Sequence, residues 1–126
     1  VWLLHGAEAP AAARAAWEAQ GARLIEIPME NGHLSLPAAL RALAAEGLTR
    51  ILNEGGSTLG AALLKARLVD DLALYAAGKL IGSEGHPALG PLTLGALADA
   101  PQGALREVRQ LGPDCFSLWS FAPPVR

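Results

Sequence analysis

The chain has 126 residues, 52% hydrophobic and 17% charged, with a net charge of −2, and a chain of this length buries roughly two-thirds of its unfolded surface without needing staples. A lone cysteine, Cys115, excludes a disulfide scaffold and a zinc site built from cysteine pairs, and no apolar run reaches the roughly 18 residues of a membrane span. Two lysines and eight arginines are spread along the chain and leave no nucleic-acid footprint, so the expectation is one cytoplasmic domain over residues 1–126, with no metal, membrane or nucleic-acid partner.

Twenty-six alanines inflate the apolar fraction, which makes much of it helix-forming bulk. The opening Val1-Trp2-Leu3-Leu4, without initiator methionine or basic leader, reads as the start of a segment cut from something longer. It is a short continuous apolar run before His5-Gly6, which suits a strand buried on both faces. Pro10 then stands where a first helical residue belongs, Ala13, Ala16 and Trp17 repeat at helical spacing, and Gly21 closes the helix. Leu24, Ile25 and Ile27 before Pro28 predict a second strand. Met29 to His33 reads as a polar loop carrying Asn31-Gly32. Ser35 is a good helix cap, Leu36, Leu40 and Leu43 share a face, and Gly47 ends that helix where positive φ is needed.

Arg50-Ile51-Leu52-Asn53 predicts a third strand, followed by a helix marked by Leu59, Leu63 and Ala66, with Lys65 and Arg67 opposing its negative end. Leu72 to Ala77 predicts a fourth strand. Strands alternating with helices demand crossovers, hence a largely parallel sheet with helices on its faces. Gly78 to Pro91 is glycine- and proline-rich and reads as a long surface loop of the kind that has a job. Leu105, Val108 and Leu111, then Gly112-Pro113-Asp114, then alternation from Phe116 to Phe121 predict a closing antiparallel hairpin.

The most informative stretch is Asn53-Glu54-Gly55-Gly56-Ser57-Thr58-Leu59-Gly60, which joins a predicted strand's carboxyl end to a helix amino terminus. Ligands bind at that edge of open parallel sheets. Adjacent glycines let a ligand approach without meeting a β-carbon, and the helix start offers free amides and partial positive charge, which suits a phosphate or pyrophosphate. Ser57 and Thr58 add hydroxyls, and Gly60 would let the helix pack close to the sheet. The same residues also fit an ordinary turn and cap, and Glu54 either offsets the helix dipole or accepts hydrogen bonds from sugar hydroxyls. His5, His33 and His86 lie in unrelated settings without paired spacing, and Asp70-Asp71 reads as turn and cap chemistry. Cys115 reads as an inert thiol, Lys79 as solvated unless it reaches a phosphate, and Trp2, Trp17 and Trp119 as core or interface residues. No Gly-x-Ser-x-Gly elbow is present.

Taken together, Arg50 to Gly60 and Leu68-Val69-Asp70-Asp71-Leu72-Ala73-Leu74-Tyr75-Ala76-Ala77-Gly78-Lys79-Leu80-Ile81-Gly82 resemble the reductase domain of the bifunctional riboflavin-biosynthesis deaminase/reductase. That family has a dihydrofolate-reductase-like fold, with Glu-Gly-Gly-x-Thr-Leu after a strand and Leu-Val-Asp-Glu-Leu leading into the next. The resemblance implies an α/β three-layer sheet, mostly parallel with the antiparallel hairpin at its end, and only the later part of that domain. It implies NADPH-dependent reduction of 5-amino-6-(5-phosphoribosylamino)uracil at C1 of the opened ribosyl chain. Glu54 would contact that substrate, and Gly55, Gly56, Ser57, Thr58, Leu59, Gly60, Ala61 and Ala62 would lie against NADPH. A homodimer and a deaminase domain in the full-length protein are implied as well. Asn53 replaces the family's commoner valine, and Gly78 its proline. The family's early strands and zinc deaminase motifs are absent from this sequence, so the chain taken alone is expected to be catalytically incomplete. The alternatives are another dihydrofolate-reductase-like reductase, and a non-catalytic βαβ module that binds a phosphorylated ligand or serves dimerisation.

Overall fold

A computed structural model describes residues 1–121. The chain divides into two compact units, Val1–Leu52 and Asn53–Arg126. In the first, β1 (Trp2–His5) and β2 (Arg23–Glu26) pair in parallel, Leu3 opposite Leu24 and Leu4 opposite Ile25, with α1 (Ala11–Ala19) as the crossover between them. Arg23 lies over the Trp2 ring at 5.4 Å and ion-pairs with Glu46. Just past β2, Ile27 donates its amide to His5 O at 2.8 Å, and its side chain, 1% exposed, is the centre of this unit's core.

Residues 29–33, expected as loop, belong instead to a small hairpin of β3 (Met29–Glu30) and β4 (His33–Leu34). Its two-residue turn puts Asn31 at φ 52° and Gly32 at φ 78°, the pair of left-handed conformations whose twist matches that of flanking strands. Ser35 starts α2 (Leu36–Ala45) but does not cap it. Its buried hydroxyl donates to Glu30 Oε1 at 2.7 Å, tying helix to hairpin instead. Gly47 ends the helix at φ 90°, as expected, with Gly47 N donating to Ala44 O and Leu48 N to Leu43 O, the paired closing bonds of a glycine-terminated helix.

The predicted strand at Arg50–Asn53 does not form: residues 50–56 carry neither helix nor ladder. Its apolar run would need partners on both sides, and here Ile51 and Leu52 are exposed. In the second unit α3 (Ser57–Lys65) precedes β5 (Asp71–Ala76), which pairs antiparallel with β7 (Asp114–Ser120), itself paired antiparallel with β6 (Ala104–Leu111). The order β5-β7-β6 means that α3 is not a crossover between parallel strands. Among the described residues the expected mostly parallel sheet is therefore replaced by three small sheets, of which only β1–β2 is parallel. The closing hairpin is as predicted, with Gly112 at φ 61° in its turn. Phe116, 7% exposed, sits in register between Tyr75 at 5.0 Å and the Arg109 guanidinium at 5.0 Å, so three cross-strand neighbours cover one another. Gly78 to Pro91 is irregular except for a short 3-10 turn at Gly82–Glu84.

Candidate functional site

The turn into α3 is built from side chain and backbone together. Asn53 Oδ1 accepts the Gly55 amide at 3.1 Å, closing a local side-chain turn of the kind asparagine favours. A β-carbon at Gly55 would lie 2.9 Å from that same oxygen and 2.9 Å from Leu59 Cδ2. Gly56 is the N-cap, at φ −64° and ψ 171°, and has no side chain to close the helix end. The amides of Ser57, Thr58 and Leu59 have no acceptor within the helix, and the described residues supply none from elsewhere. A β-carbon at Gly56 would meet nothing within 4 Å. The turn thus presents unspent donors at the positive end of a helix dipole, with open space beside Gly56, which is an arrangement an anionic oxygen can use. Glu54, exposed and without an ion pair among the described residues, immediately precedes the two glycines.

The remaining residues of the predicted stretch divide by helix face. Thr58 and Ala62 are exposed, whereas Ala61, 4% exposed, is core. Gly60 does allow a close approach, but to a loop and not to the sheet: its β-carbon would be 3.3 Å from Leu89 Cδ2. Beside it, Gly90 donates its amide to Ser57 O at 2.9 Å, and a β-carbon there would lie 3.3 Å from that carbonyl. The late end of the glycine-rich loop therefore braces the first turn of α3. Between them runs a shallow cavity of about 210 Å³ lined by Thr58, Ala61, Ala62, Lys65, Gly90 and Pro91.

Sequence reasoning missed Gly90 as the neighbour of the first turn of α3, Leu89 as the neighbour of Gly60, and Lys65 and Pro91 as lining of the cavity alongside. The loop's glycines and prolines marked it as purposeful without saying what it touches, and Lys65 was assigned only to the helix dipole. Lys65 Nζ donates to Thr93 Oγ1 at 3.2 Å, and Lys79 lines neither this cavity nor a larger one of about 530 Å³ where Lys65 and Arg67 face residues 92–102. His5 ends β1, His33 lies in β4 and His86 in the loop, and among the described residues no cluster of His, Cys, Asp or Glu could hold a metal ion. Cys115 is exposed on β7. No helix of the described residues is long and apolar enough to cross a membrane.

The sequence model of the RibD C-terminal domain matches residues 5–116. The chain belongs to that family. Among RibD relatives, the riboflavin biosynthesis protein RibD of Escherichia coli K12 is 42% identical over 97 residues, which cover 76% of this chain and 26% of that protein. The 5-amino-6-(5-phosphoribosylamino)uracil reductase of Buchnera aphidicola from Acyrthosiphon pisum is 28% identical over 80% of this chain and 48% of its own length. The chain thus spans about a quarter to a half of these relatives. In structure, the chain resembles a pyrimidine reductase-like protein of Corynebacterium diphtheriae, with TM-score 0.67 and 23% identity over 97% of this chain and 50% of that one. It also resembles Acinetobacter baumannii RibD, with TM-score 0.64 and 18% identity over 94% and 36%. These likenesses establish an α/β fold shared with RibD reductase structures.

Proposed function

We propose that the chain is the later part of a cytoplasmic, dihydrofolate-reductase-like reductase of riboflavin biosynthesis, which reduces 5-amino-6-(5-phosphoribosylamino)uracil to its ribitylamino product with NADPH. In the full-length protein a deaminase domain accompanies it. The observation that carries this reading is the turn at 53–58, where unpaired first-turn amides and an open side at Gly56 stand next to an exposed carboxylate. The family membership and the named reductase among its relatives support it.

The residues fit the cofactor. Gly56, Ser57, Thr58 and Leu59 would donate backbone amides to its pyrophosphate, and Gly55, Gly60, Ala61 and Ala62 shape the same surface by packing. When bound, NADPH supplies the hydride. The chain's own contribution is to hold reactants in line, with Glu54 accepting hydrogen bonds from ribosyl hydroxyls of the substrate. No side chain here is assigned as proton donor.

The same reading includes a homodimer. β6 is an edge strand, and Leu105 and Val108 share a face with Trp119 and Leu72 while remaining 51% and 56% exposed. An exposed apolar edge invites pairing with another chain.

An NADPH titration followed by cofactor fluorescence tests the reading, with NADH and Gly56→Asp as controls. Micromolar binding that Gly56→Asp abolishes is the expected result, since an aspartate at the N-cap sets a carboxylate where the pyrophosphate would lie. A chain that binds no NADPH, or binds it equally well after the substitution, overturns the assignment.

A further inference from the structure

We propose that Lys65 selects NADPH over NADH, by pairing with the 2′-phosphate of an adenosine ribose seated in the cavity between α3 and the 89–91 loop. The inference rests on the cofactor reading above and adds a residue outside the stretch assigned there. Thr58, Ala61, Ala62 and Lys65 all line this cavity, and their spacing of three, four and seven places them along one stripe of α3. Seven residues of helix rise about 10.5 Å, so the stripe leads from the amides at the helix start to the lysine two turns later. The opposite wall is Gly90 and Pro91.

Size and charge agree on what fits. About 210 Å³ is room for a ribose phosphate and not for a dinucleotide, and the small side chains of Ala61 and Ala62 leave the floor open. A positive helix terminus stands at one end of the stripe and Lys65 at the other. A ligand with a pyrophosphate and a second phosphate one ribose away answers both. Lys65 is also held in place: its ammonium carries three donors and gives one to Thr93 Oγ1 at 3.2 Å, which leaves two for a phosphate. Lys65 has no ion pair among the described residues, so binding a phosphate breaks no existing one.

The test is equilibrium binding of NADPH and NADH, and of 2′,5′-ADP against 5′-AMP, to the wild-type chain, Lys65→Met and Lys65→Arg. Wild type is expected to prefer the 2′-phosphorylated member of each pair. Lys65→Met should lose ~10-fold or more of its affinity for NADPH, the effect of removing one charged hydrogen-bonding partner, and keep its affinity for NADH. Lys65→Arg should retain the preference. Unchanged NADH binding by Lys65→Met also shows that the variant is folded. A Lys65→Met chain that still discriminates against NADH overturns the inference while the cofactor reading stands. A wild-type chain that binds neither cofactor overturns both, and one that binds the two equally overturns the selectivity alone.

Discussion

At Gly55 an added methyl group would meet Asn53 Oδ1 and Leu59 Cδ2, each at 2.9 Å, whereas at Gly56 it would meet nothing within 4 Å. The two glycines of the motif therefore matter in different ways, the first through packing and the second through the space it leaves. Neither has positive φ. Gly55→Ala must push the asparagine off the Gly55 amide or rotate Leu59, so it should lower both stability and NADPH affinity. Gly56→Ala has permitted backbone angles and should cost under about 1 kcal/mol, the difference between glycine and alanine at an N-cap, yet weaken NADPH severalfold by filling the approach. Thermal melts alongside NADPH titrations check the pair; equal loss of stability in both variants would remove the distinction. Asn53→Val frees the Gly55 amide that the asparagine now holds at 3.1 Å. Faster exchange of that single amide in hydrogen-exchange NMR is the expected result, with protection unchanged at Gly60, whose amide is bonded to Gly56 O.

The three α-helices of the described residues close by the same pair of backbone bonds: a residue at positive φ (Gly21 at 77°, Gly47 at 90° or Arg67 at 56°) donates to the second-last helical carbonyl, and the residue after it donates to the third-last. Arginine is the odd member, since a side chain in the left-handed region costs about 1 kcal/mol that glycine avoids. Arg67→Gly should therefore raise stability by up to about 1 kcal/mol in urea unfolding, and a destabilised variant would show that the arginine's contacts outweigh its backbone strain. What could be read in advance at this scale followed local chemistry. Gly21, Gly47 and the alternation from Phe116 to Phe121 each announced their element, with the strand ending one residue earlier at Ser120, because a helix stop and a hairpin are decided within a few residues. Asn31-Gly32 carried the hairpin signal too, yet strands two residues long are shorter than any periodicity can resolve. Ser35 has the chemistry of a cap but gives its hydroxyl to Glu30, five residues back, a choice set by tertiary position. Arg50–Asn53 has a strand's composition and no ladder, because pairing depends on neighbours that local sequence does not contain. The glycine turn was legible as a helix start with free amides; Gly90 against its first turn and Lys65 in the cavity along the helix were not, since a loop's docking partner leaves no spacing to count.

Each unit has a small core of its own, Ile27 and Ala39 in Val1–Leu52, and Ala61, Leu64 and Phe116 in Asn53–Arg126. So few fully buried side chains give either unit little hydrophobic free energy with which to offset chain entropy. The expectation of a single domain over residues 1–126 is a statement about cooperative unfolding, and the chain carries the probes that decide it. Trp2 and Trp17 lie in the first unit and Trp119, whose indole donates to Ser117 Oγ at 3.1 Å, in the second. Their three indole protons can be followed separately by NMR as temperature rises. One domain predicts that all three native signals vanish at a common midpoint. It also predicts that Ile27→Ala, a truncation expected to cost roughly 2–5 kcal/mol, lowers the Trp119 midpoint as much as those of Trp2 and Trp17. If Ile27→Ala moves only the tryptophans of its own unit, the units unfold independently and the chain is two domains joined near Leu52.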